Sequence, residues 1–131
     1  MASDDVRDDR KYTKDHEWAK TDGGAIVIGI TAFAVDQLGD ITLVNLDVKA
    51  GDTVTAGKAF GTIESVKTLS DLFAPVSGKV VRVNAALETS PELVNEDCYE
   101  KAWMIAVEPS AEAGDLLSAD AYRALLESAA H

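Results

Sequence analysis

One lysine occupies a position at which a covalent group could be attached. Residues 59–66 alternate in the manner of a β-strand, and residues 68–74 are predicted to form the returning strand, so Lys67 falls at the crest of a hairpin. At a crest, an attaching enzyme can reach the ε-amine and an attached arm can swing freely. An ordinary solvated turn lysine fits the same pattern, and position alone does not choose between the two interpretations.

The other reactive side chains do not form a recognisable catalytic set. His16 and Glu17 are adjacent, and neighbouring residues of a strand point to opposite faces, so we expect His16 to be structural. Cys98 is the only cysteine, which excludes an internal disulfide and a multi-cysteine zinc site and favours a small core or loop residue. No nucleotide-binding, metalloprotease or hydrolase motif occurs. We therefore expect a protein that is not an enzyme and has no metal site.

Strands dominate the elements that must position Lys67. Besides the two strands around it, we predict strands at 17–20, 25–30, 41–46, 79–84 and 103–108, with glycine-containing turns between several of them. On the strand over 59–66, we expect Phe60, Thr62, Glu64 and Val66 to share one face. A short helix near 31–38 is predicted to begin after Thr31 and to end at Gly39.

The two ends of the chain are predicted to differ. Residues 1–10 are expected to be a flexible acidic tail, and residues 11–131 a single domain. Residues 88–103 are expected to begin as a loop that Pro91 interrupts. A helix is predicted over 118–129, with Ser118 or Asp120 as N-cap, because its apolar residues follow helical spacing. Those residues are Tyr122, Leu125, Leu126 and Ala129.

A weak internal echo surrounds the lysine. The segments VKAGDTV (48–54) and PVSGKVV (75–81) each place a glycine turn before a β-branched strand. Gly51 precedes Lys67 by 16 residues and Gly78 follows it by 11. A two-fold-like pairing of hairpins would account for this arrangement, although one short echo is weak evidence alone.

The charge balance restricts the partners. With 23 acidic and 12 basic side chains, the net charge is −11, which argues against nucleic acids and anionic membranes. An acidic surface favours basic patches on partner proteins. The absence of an apolar stretch of about 20 residues argues against a membrane span. The acidic N-terminus resembles neither a secretory signal nor a mitochondrial presequence, so we expect a bacterial cytoplasmic protein, with a processed mitochondrial form as the alternative.

Several motifs together resemble one family. Four segments carry the resemblance: YTKDHEW (12–18), GIT…LGD (29–40), ESVKTLSDLFAPVSGKV (64–80) and VN…CYEKAWMI (94–105). Together they closely resemble the H-protein of the glycine cleavage system over roughly residues 11–128. The lipoyl domains of 2-oxo acid dehydrogenase acyltransferases usually carry DKA or DKV instead, and biotinyl domains usually carry MKM.

The resemblance implies an all-β fold and a carrier function. The fold would be a barrel-sandwich hybrid, which is the flattened β sandwich of lipoyl domains, with a C-terminal helix. Lys67 would carry (R)-lipoate, attached by lipoate attachment enzymes. Glycine decarboxylase (P-protein) would load an aminomethyl group, aminomethyltransferase (T-protein) would pass its carbon to tetrahydrofolate, and dihydrolipoamide dehydrogenase (L-protein) would reoxidise the dithiol. The chain would be a monomer and a non-catalytic shuttle.

The family's functional residues carry over by position. The resemblance implies that Glu64, Gly51 and Gly78 serve recognition during lipoylation. It also implies that Glu17, Ser70 and Asp71 lie close to the loaded arm, where Glu17 or Asp71 could hold the ammonium group of the cargo.

This chain departs from the family pattern in its first helix. Gln37 stands where some members have histidine, and Ala32 and Val35 replace more usual polar residues.

Two other functions remain open at this stage. One is a lipoyl carrier that donates lipoate to other proteins. The other is an unmodified β module that only binds partners. A lipoyl mass increment on the peptide containing Lys67 separates a carrier from the bare module.

Overall fold

Nine strands and four helices make up the described part of the protein. The computed structural model describes residues 6–110 and 116–129, with only the backbone of Ala129. The elements are β1 Lys11–Tyr12, β2 Glu17–Asp22, β3 Ala25–Ile30, α1 Ala32–Leu38, β4 Ile41–Leu46, β5 Thr53–Val54, β6 Ala59–Ser65, β7 Leu69–Phe73, β8 Gly78–Val83, α2 Ala86–Thr89, α3 Leu93–Glu96, β9 Ile105–Pro109 and α4 Ala119–Ala129. No helix within these ranges is both long enough and apolar enough to cross a bilayer.

The strands form two antiparallel sheets. The larger has the order β1-β2-β3-β9-β8-β5, and the smaller has the order β4-β6-β7. Side chains from both sheets meet in one hydrophobic core, for example Ile28 and Val107 from the larger sheet and Val44, Ile63 and Leu72 from the smaller. Burial of these β-branched and leucine side chains is the main force that holds the sheets together. The predicted all-β sandwich is confirmed.

The hairpin that carries Lys67 contains an irregularity that the alternation does not reveal. Strand β6 shifts register against β7 between Ala59 and Gly61. A bulge of this kind turns one extra side chain toward the core. Phe60 is accordingly only 1% exposed and packs in the core with Ile63, so the prediction that it shares a face with Thr62 is wrong. From Gly61 onward the alternation holds.

The two segments of the internal echo pair with each other. Strand β5 lies antiparallel to the start of β8, with Val54 opposite Gly78. The N–H of Gly51 donates to the carbonyl of Val80 at 2.8 Å, and the N–H of Val80 donates to the carbonyl of Asp52 at 2.7 Å. The two segments are therefore hydrogen-bonded neighbours in the larger sheet.

The helix ends follow the predicted capping residues. The Thr31 hydroxyl accepts the N–H of Ala34, and Gly39 closes α1 at φ 79° and ψ −148°, a region open mainly to glycine. At α4, the Ser118 side chain accepts the N–H of Ala121 at 3.1 Å. Ser118 rather than Asp120 is thus the N-cap.

Two regions differ from the prediction. Residues 86–89 and 93–96 form two single helical turns rather than a loop, and elements this short leave no periodic signal in a sequence. At the N-terminus, Val6 and Arg10 are buried. The Arg10 guanidinium lies 4.6 Å from the Trp18 ring centroid, and it donates to the Tyr99 carbonyl at 2.9 Å. A flexible tail over 1–10 is therefore wrong for residues 6–10, and residues 1–5 lie outside the described residues.

Candidate functional site

Lys67 lies in the turn between β6 and β7, and its side chain is exposed. The turn is organised by the buried Ser65. Its hydroxyl oxygen accepts the N–H groups of Lys67 and Thr68, each at 3.2 Å, and its backbone N–H donates to the Thr68 carbonyl at 2.8 Å. A serine that satisfies two turn amides fixes the backbone locally. The lysine therefore stands on a defined turn.

The loop at residues 39–41, between α1 and β4, contacts the Lys67 turn. The N–H of Val66 donates to the carbonyl of Asp40 at 3.0 Å. A Cβ at Gly39 would lie 3.4 Å from Cε of Lys67, so the lysine stem passes directly over this glycine. Asn95 of α3 holds the loop on both sides, because its amide accepts the N–H of Ile41 at 2.8 Å and donates to the carbonyl of Gly39 at 2.9 Å. Three chain segments therefore converge under Lys67.

A cleft of about 170 Å³ brings the predicted arm-contacting residues together. Glu17, Ser70, Asp71 and Gln37 all line it. Their neighbours in the lining are mostly apolar, namely Ile30, Ala34, Leu38, Ile63 and Leu72. An apolar trough with carboxylates at defined points suits a hydrocarbon chain that ends in a cation. Ser70 and Asp71 lie on the same strand that leaves the Lys67 turn, so the cleft adjoins the hairpin.

Glu17 is the most perturbed carboxyl group in the cleft. It is 4% exposed, accepts the Thr13 hydroxyl at 2.7 Å, and accepts a backbone hydrogen bond from Phe73. Burial raises the pKa of Glu17 to about 7, opposed by the Thr13 hydrogen bond and assisted by the charge of Asp15. Near neutral pH this group can therefore hold or release a proton.

His16 is a cleft residue that the sequence reasoning missed. It precedes β2 and has φ 70°, so it does not follow the alternation of a strand. It lines the cleft beside Glu17, packs on Phe33 with ring centroids 4.5 Å apart, and has Nδ1 2.7 Å from the Tyr122 hydroxyl. His16 and Glu17 line the same cleft although they are adjacent in the chain, because His16 lies outside β2 and the alternation of that strand does not apply to it. Burial lowers the pKa of His16, which favours the neutral ring.

The departures in the first helix have a structural explanation. Ala32 and Val35 are buried in the core, so apolar side chains suit both positions. Gln37 is the departing residue that lines the cleft. It puts an uncharged amide where some members have an imidazole, and the cleft of this chain still has one imidazole, that of His16.

The residues predicted for lipoylation recognition lie in different places. Glu64 is exposed on β6, opposite Leu43 on one side and Leu69 on the other. Gly51 and Gly78 lie in the paired segments of the larger sheet. Gly51 has φ 99°, and a Cβ at Gly78 would overlap the backbone oxygen of Glu108. Both glycines thus have a backbone reason for their identity.

The remaining candidates are structural. Cys98 is buried, and its carbonyl accepts the Trp18 indole N–H at 3.1 Å. Trp18 is a core residue, whereas Trp103 is only half-buried and borders a separate groove of about 380 Å³ on the larger sheet. That groove contains none of the predicted site residues. Within residues 6–110 and 116–129, no group of three or more His, Cys, Asp or Glu side chains could hold a metal ion.

Fold and site together define a class: a two-sheet β domain that presents one lysine on a fixed hairpin turn beside an acidic, apolar-lined cleft. A family model described as glycine cleavage H-protein matches residues 10–129. The chain belongs to the glycine cleavage H-protein family.

Individual relatives agree along nearly their whole length. A glycine cleavage system H protein from Carboxydothermus hydrogenoformans is 55% identical over 124 residues, which cover 93% of this chain and 95% of the relative. One from Halalkalibacterium halodurans is 54% identical, with 88% and 91% covered. The crystal structure of a glycine cleavage system H protein from Mycobacterium marinum superposes with a TM-score of 0.87 at 41% identity, covering 93% of this chain and 99% of that one.

Proposed function

We propose that this protein is a lipoyl-carrying shuttle of the glycine cleavage system and not an enzyme. Lys67 would bear (R)-lipoate through an amide. The observation that carries the proposal is the exposed Lys67 on a turn that Ser65 fixes, next to a cleft lined by Glu17 and Asp71. Family membership supports the same conclusion.

The described residues fit a lipoyl group. Attachment requires the unprotonated Nζ to attack the carbonyl carbon of an activated lipoyl group, for example the adenylate. The C–N amide bond replaces the acyl–phosphate bond, AMP leaves with the electron pair, and the nitrogen gives one proton to solvent. The exposure of Lys67 makes this attack sterically possible. Gly39 beneath the stem leaves room for the lysine to lie flat toward α1.

The partners would be the enzymes that attach the group and those that act on it. When bound, the lipoyl group supplies a dithiolane that takes the aminomethyl group at the P-protein, yields it at the T-protein, and is reoxidised by the L-protein. The acidic surface, with net charge −11, suits basic faces on these enzymes. The bacterial origin of the relatives supports action in a bacterial cytoplasm. We also propose that the protein is a monomer.

The cleft would protect the cargo between visits. An approaching ammonium favours the ionised form of Glu17, so the carboxyl would release its proton as the cation docks. Asp71 would supply a second, exposed carboxylate, and exposed pairs contribute at most about 1 kcal/mol. An arm held this weakly can still be withdrawn by a partner enzyme. Substituting Glu17 and Asp71 together should shorten the lifetime of the loaded methylamine, and an unchanged lifetime would refute this role.

Intact mass and peptide mass test the attachment. After expression with lipoate and a lipoate ligase, the wild-type protein should gain one lipoyl increment, on the peptide that contains Lys67. Lys67→Arg should abolish it, and Lys58→Arg, at an exposed lysine in another turn, should not. An unmodified wild-type protein, or an increment that survives Lys67→Arg, would refute the proposal. Carbon dioxide exchange from glycine with a P-protein then tests the pathway, and a lipoylated chain without exchange activity would favour a lipoate relay.

A further inference from the structure

Exposed large hydrophobic side chains cluster around Lys67. Among the described residues only four such side chains are exposed, namely Val66 at 66%, Leu69 at 63%, Leu43 at 46% and Val81 at 38%. Val66 precedes Lys67 in its turn, Leu69 begins β7 two residues after Lys67, and Leu43 lies on the neighbouring strand β4. Single exposed hydrophobics are ordinary, but a cluster beside a functional group marks an interaction surface.

The strand register arranges two of these side chains, Leu43 and Leu69, in one row with Glu64. Leu43 pairs with Glu64, and Glu64 pairs with Leu69, so the two leucines stand on either side of one carboxylate. Paired residues in antiparallel strands point to the same face, with Cβ atoms about 5 Å apart. We call Leu43, Glu64 and Leu69 the outer row.

Most of the cleft lining that the small sheet supplies lies on the face opposite the outer row. Ile63 and Ser70 pair with each other and alternate with the outer-row residues along β6 and β7. Both line the cleft. Side chains alternate across a strand, so a protein bound to the outer row covers mainly the face of the small sheet away from the cleft. Asp71, two residues after Leu69 on β7, is the cleft residue that shares the face of the outer row.

This geometry selects one kind of partner. An enzyme that forms the amide must bring its carbonyl carbon to Nζ of Lys67, and must therefore cover the turn and the strands beside it. It has no need of the cleft, because the lysine carries no arm at that moment. Once the lipoyl group is attached, its dithiolane lies far from Nζ of Lys67. Enzymes that act on the dithiolane must compete with the cleft for the dithiolane.

The charge of the row sets the chemistry of the partner. Glu64 forms no ion pair within residues 6–110 and 116–129, and it stands between two leucines that would exclude water on docking. A cation inserted between the leucines would lose its surrounding water, and a charge-assisted contact with Glu64 is strongest when water is excluded. The matching surface is one basic side chain surrounded by apolar ones.

We infer that the outer row, together with Val66, is the docking surface for the enzyme that attaches the lipoyl group. The matching surface of that enzyme would present one cation surrounded by apolar side chains. This inference rests on the proposed attachment at Lys67. It adds Leu43 and Leu69 to the recognition determinants and assigns them to attachment rather than to transfer of the cargo.

The test compares attachment rates of full-length unmodified protein. A purified lipoate ligase with ATP and lipoate is the probe, and mass spectrometry follows the increment. The double variant Leu43→Thr/Leu69→Thr introduces β-branched residues, which strands accept well, and should lower kcat/KM for attachment about tenfold or more. Val81→Thr, the exposed hydrophobic on the other sheet, is the matched control and should stay within about twofold. Thermal unfolding confirms that each variant is folded.

The outcomes separate the two proposals. A wild-type protein that is never modified would refute the proposed function itself. Normal attachment to a folded double variant, or an equal loss in Val81→Thr, would overturn only the inference. It would also be overturned if attachment were unchanged and exchange with the P-protein fell, since the face would then belong to the decarboxylase. A wild-type dimer that the double substitution dissociates would assign the face to a second copy.

Discussion

The imidazole Nδ1 of His16 lies 2.7 Å from the hydroxyl oxygen of Tyr122, more than 100 residues later in the chain. The same hydroxyl lies 2.7 Å from Oγ1 of Thr31, the N-cap of α1. Tyr122 belongs to α4, is fully buried, and stacks on Tyr12 with ring centroids 4.5 Å apart. One hydroxyl group therefore joins the C-terminal helix to the wall of the cleft.

Removing that hydroxyl should loosen the cleft without emptying the core. Tyr122→Phe keeps the ring and its stacking, but leaves His16 and Thr31 without a partner they share. We expect a loss of about 1–3 kcal/mol in the free energy of unfolding, measured by urea denaturation. The ring ¹⁵N shifts of His16 should also move. Tyr12→Phe is the control, because its hydroxyl bonds to the backbone of Arg7 instead. Identical His16 shifts in all three proteins would contradict the coupling.

The carboxyl group of Glu17 should make stability fall as pH rises. Burial raises its pKa from 4.5 to about 7, so between these values the folded protein holds a proton that the unfolded chain has lost. Unfolding then releases a proton, and higher pH favours it. A shift of this size corresponds to about 3 kcal/mol, present below pH 4.5 and lost above pH 7.

Glu17→Gln should remove this dependence. The amide oxygen still accepts from Thr13, but nothing titrates. The stability of the variant relative to wild type should therefore increase between pH 4.5 and pH 8, by up to about 3 kcal/mol. Urea denaturation at several pH values measures it, and carboxyl ¹³C shifts report the proton directly. Parallel stability curves for the two proteins would show that Glu17 titrates normally.

The sequence allowed the hairpin and the caps to be predicted because those features are local. Alternation on either side of Lys67 located the crest, and Thr31 and Gly39 marked the helix ends by their own chemistry. The cleft was different. Glu17 and Asp71 are distant in the chain, and only the family resemblance placed them together.

The misses share one physical cause, which is that backbone geometry is decided by tertiary contacts. His16 enters the cleft because its φ is 70°, a conformation that histidine adopts only occasionally and that no pattern announces. Phe60 turns inward at a bulge that its own strand does not encode. Arg10 is buried because its guanidinium packs on the rings of Trp18 and Tyr99, a long-range contact that the charged composition of residues 1–10 does not reveal.

Gly39 should be more sensitive to substitution than other turn glycines. Gly39→Ala places a Cβ at φ 79° and ψ −148°, which costs about 1–3 kcal/mol, and puts that atom 3.4 Å from Cε of Lys67. We expect lower thermal stability together with slower lipoate attachment. Gly57→Ala is the control, since Gly57 has φ 83° but no atom within 4 Å of a Cβ. It should lose stability only. Equal attachment rates for both variants would show that the lysine stem does not depend on Gly39.

Asn95 should control the Lys67 turn from a distance. Asn95→Ala leaves the N–H of Ile41 and the carbonyl of Gly39 without their side-chain partner, and an unmet buried group costs about 1–3 kcal/mol. The loop would loosen, and with it the Asp40 carbonyl that receives the N–H of Val66. We expect faster hydrogen exchange at the Val66 amide and slower lipoate attachment.

A second asparagine offers a matched control for this effect. Asn84 also ties two backbone groups through its side-chain amide, which donates to the carbonyls of Lys101 and Trp103, but it follows β8 and does not touch the loop under Lys67. Asn84→Ala should therefore lower stability while leaving exchange at Val66 and the attachment rate near wild type. If Asn95→Ala lost stability without changing hydrogen exchange at Val66 or the attachment rate, Asn95 would contribute only to the stability of the fold. If both variants slowed attachment equally, the effect would follow from global stability and not from the support beneath the turn.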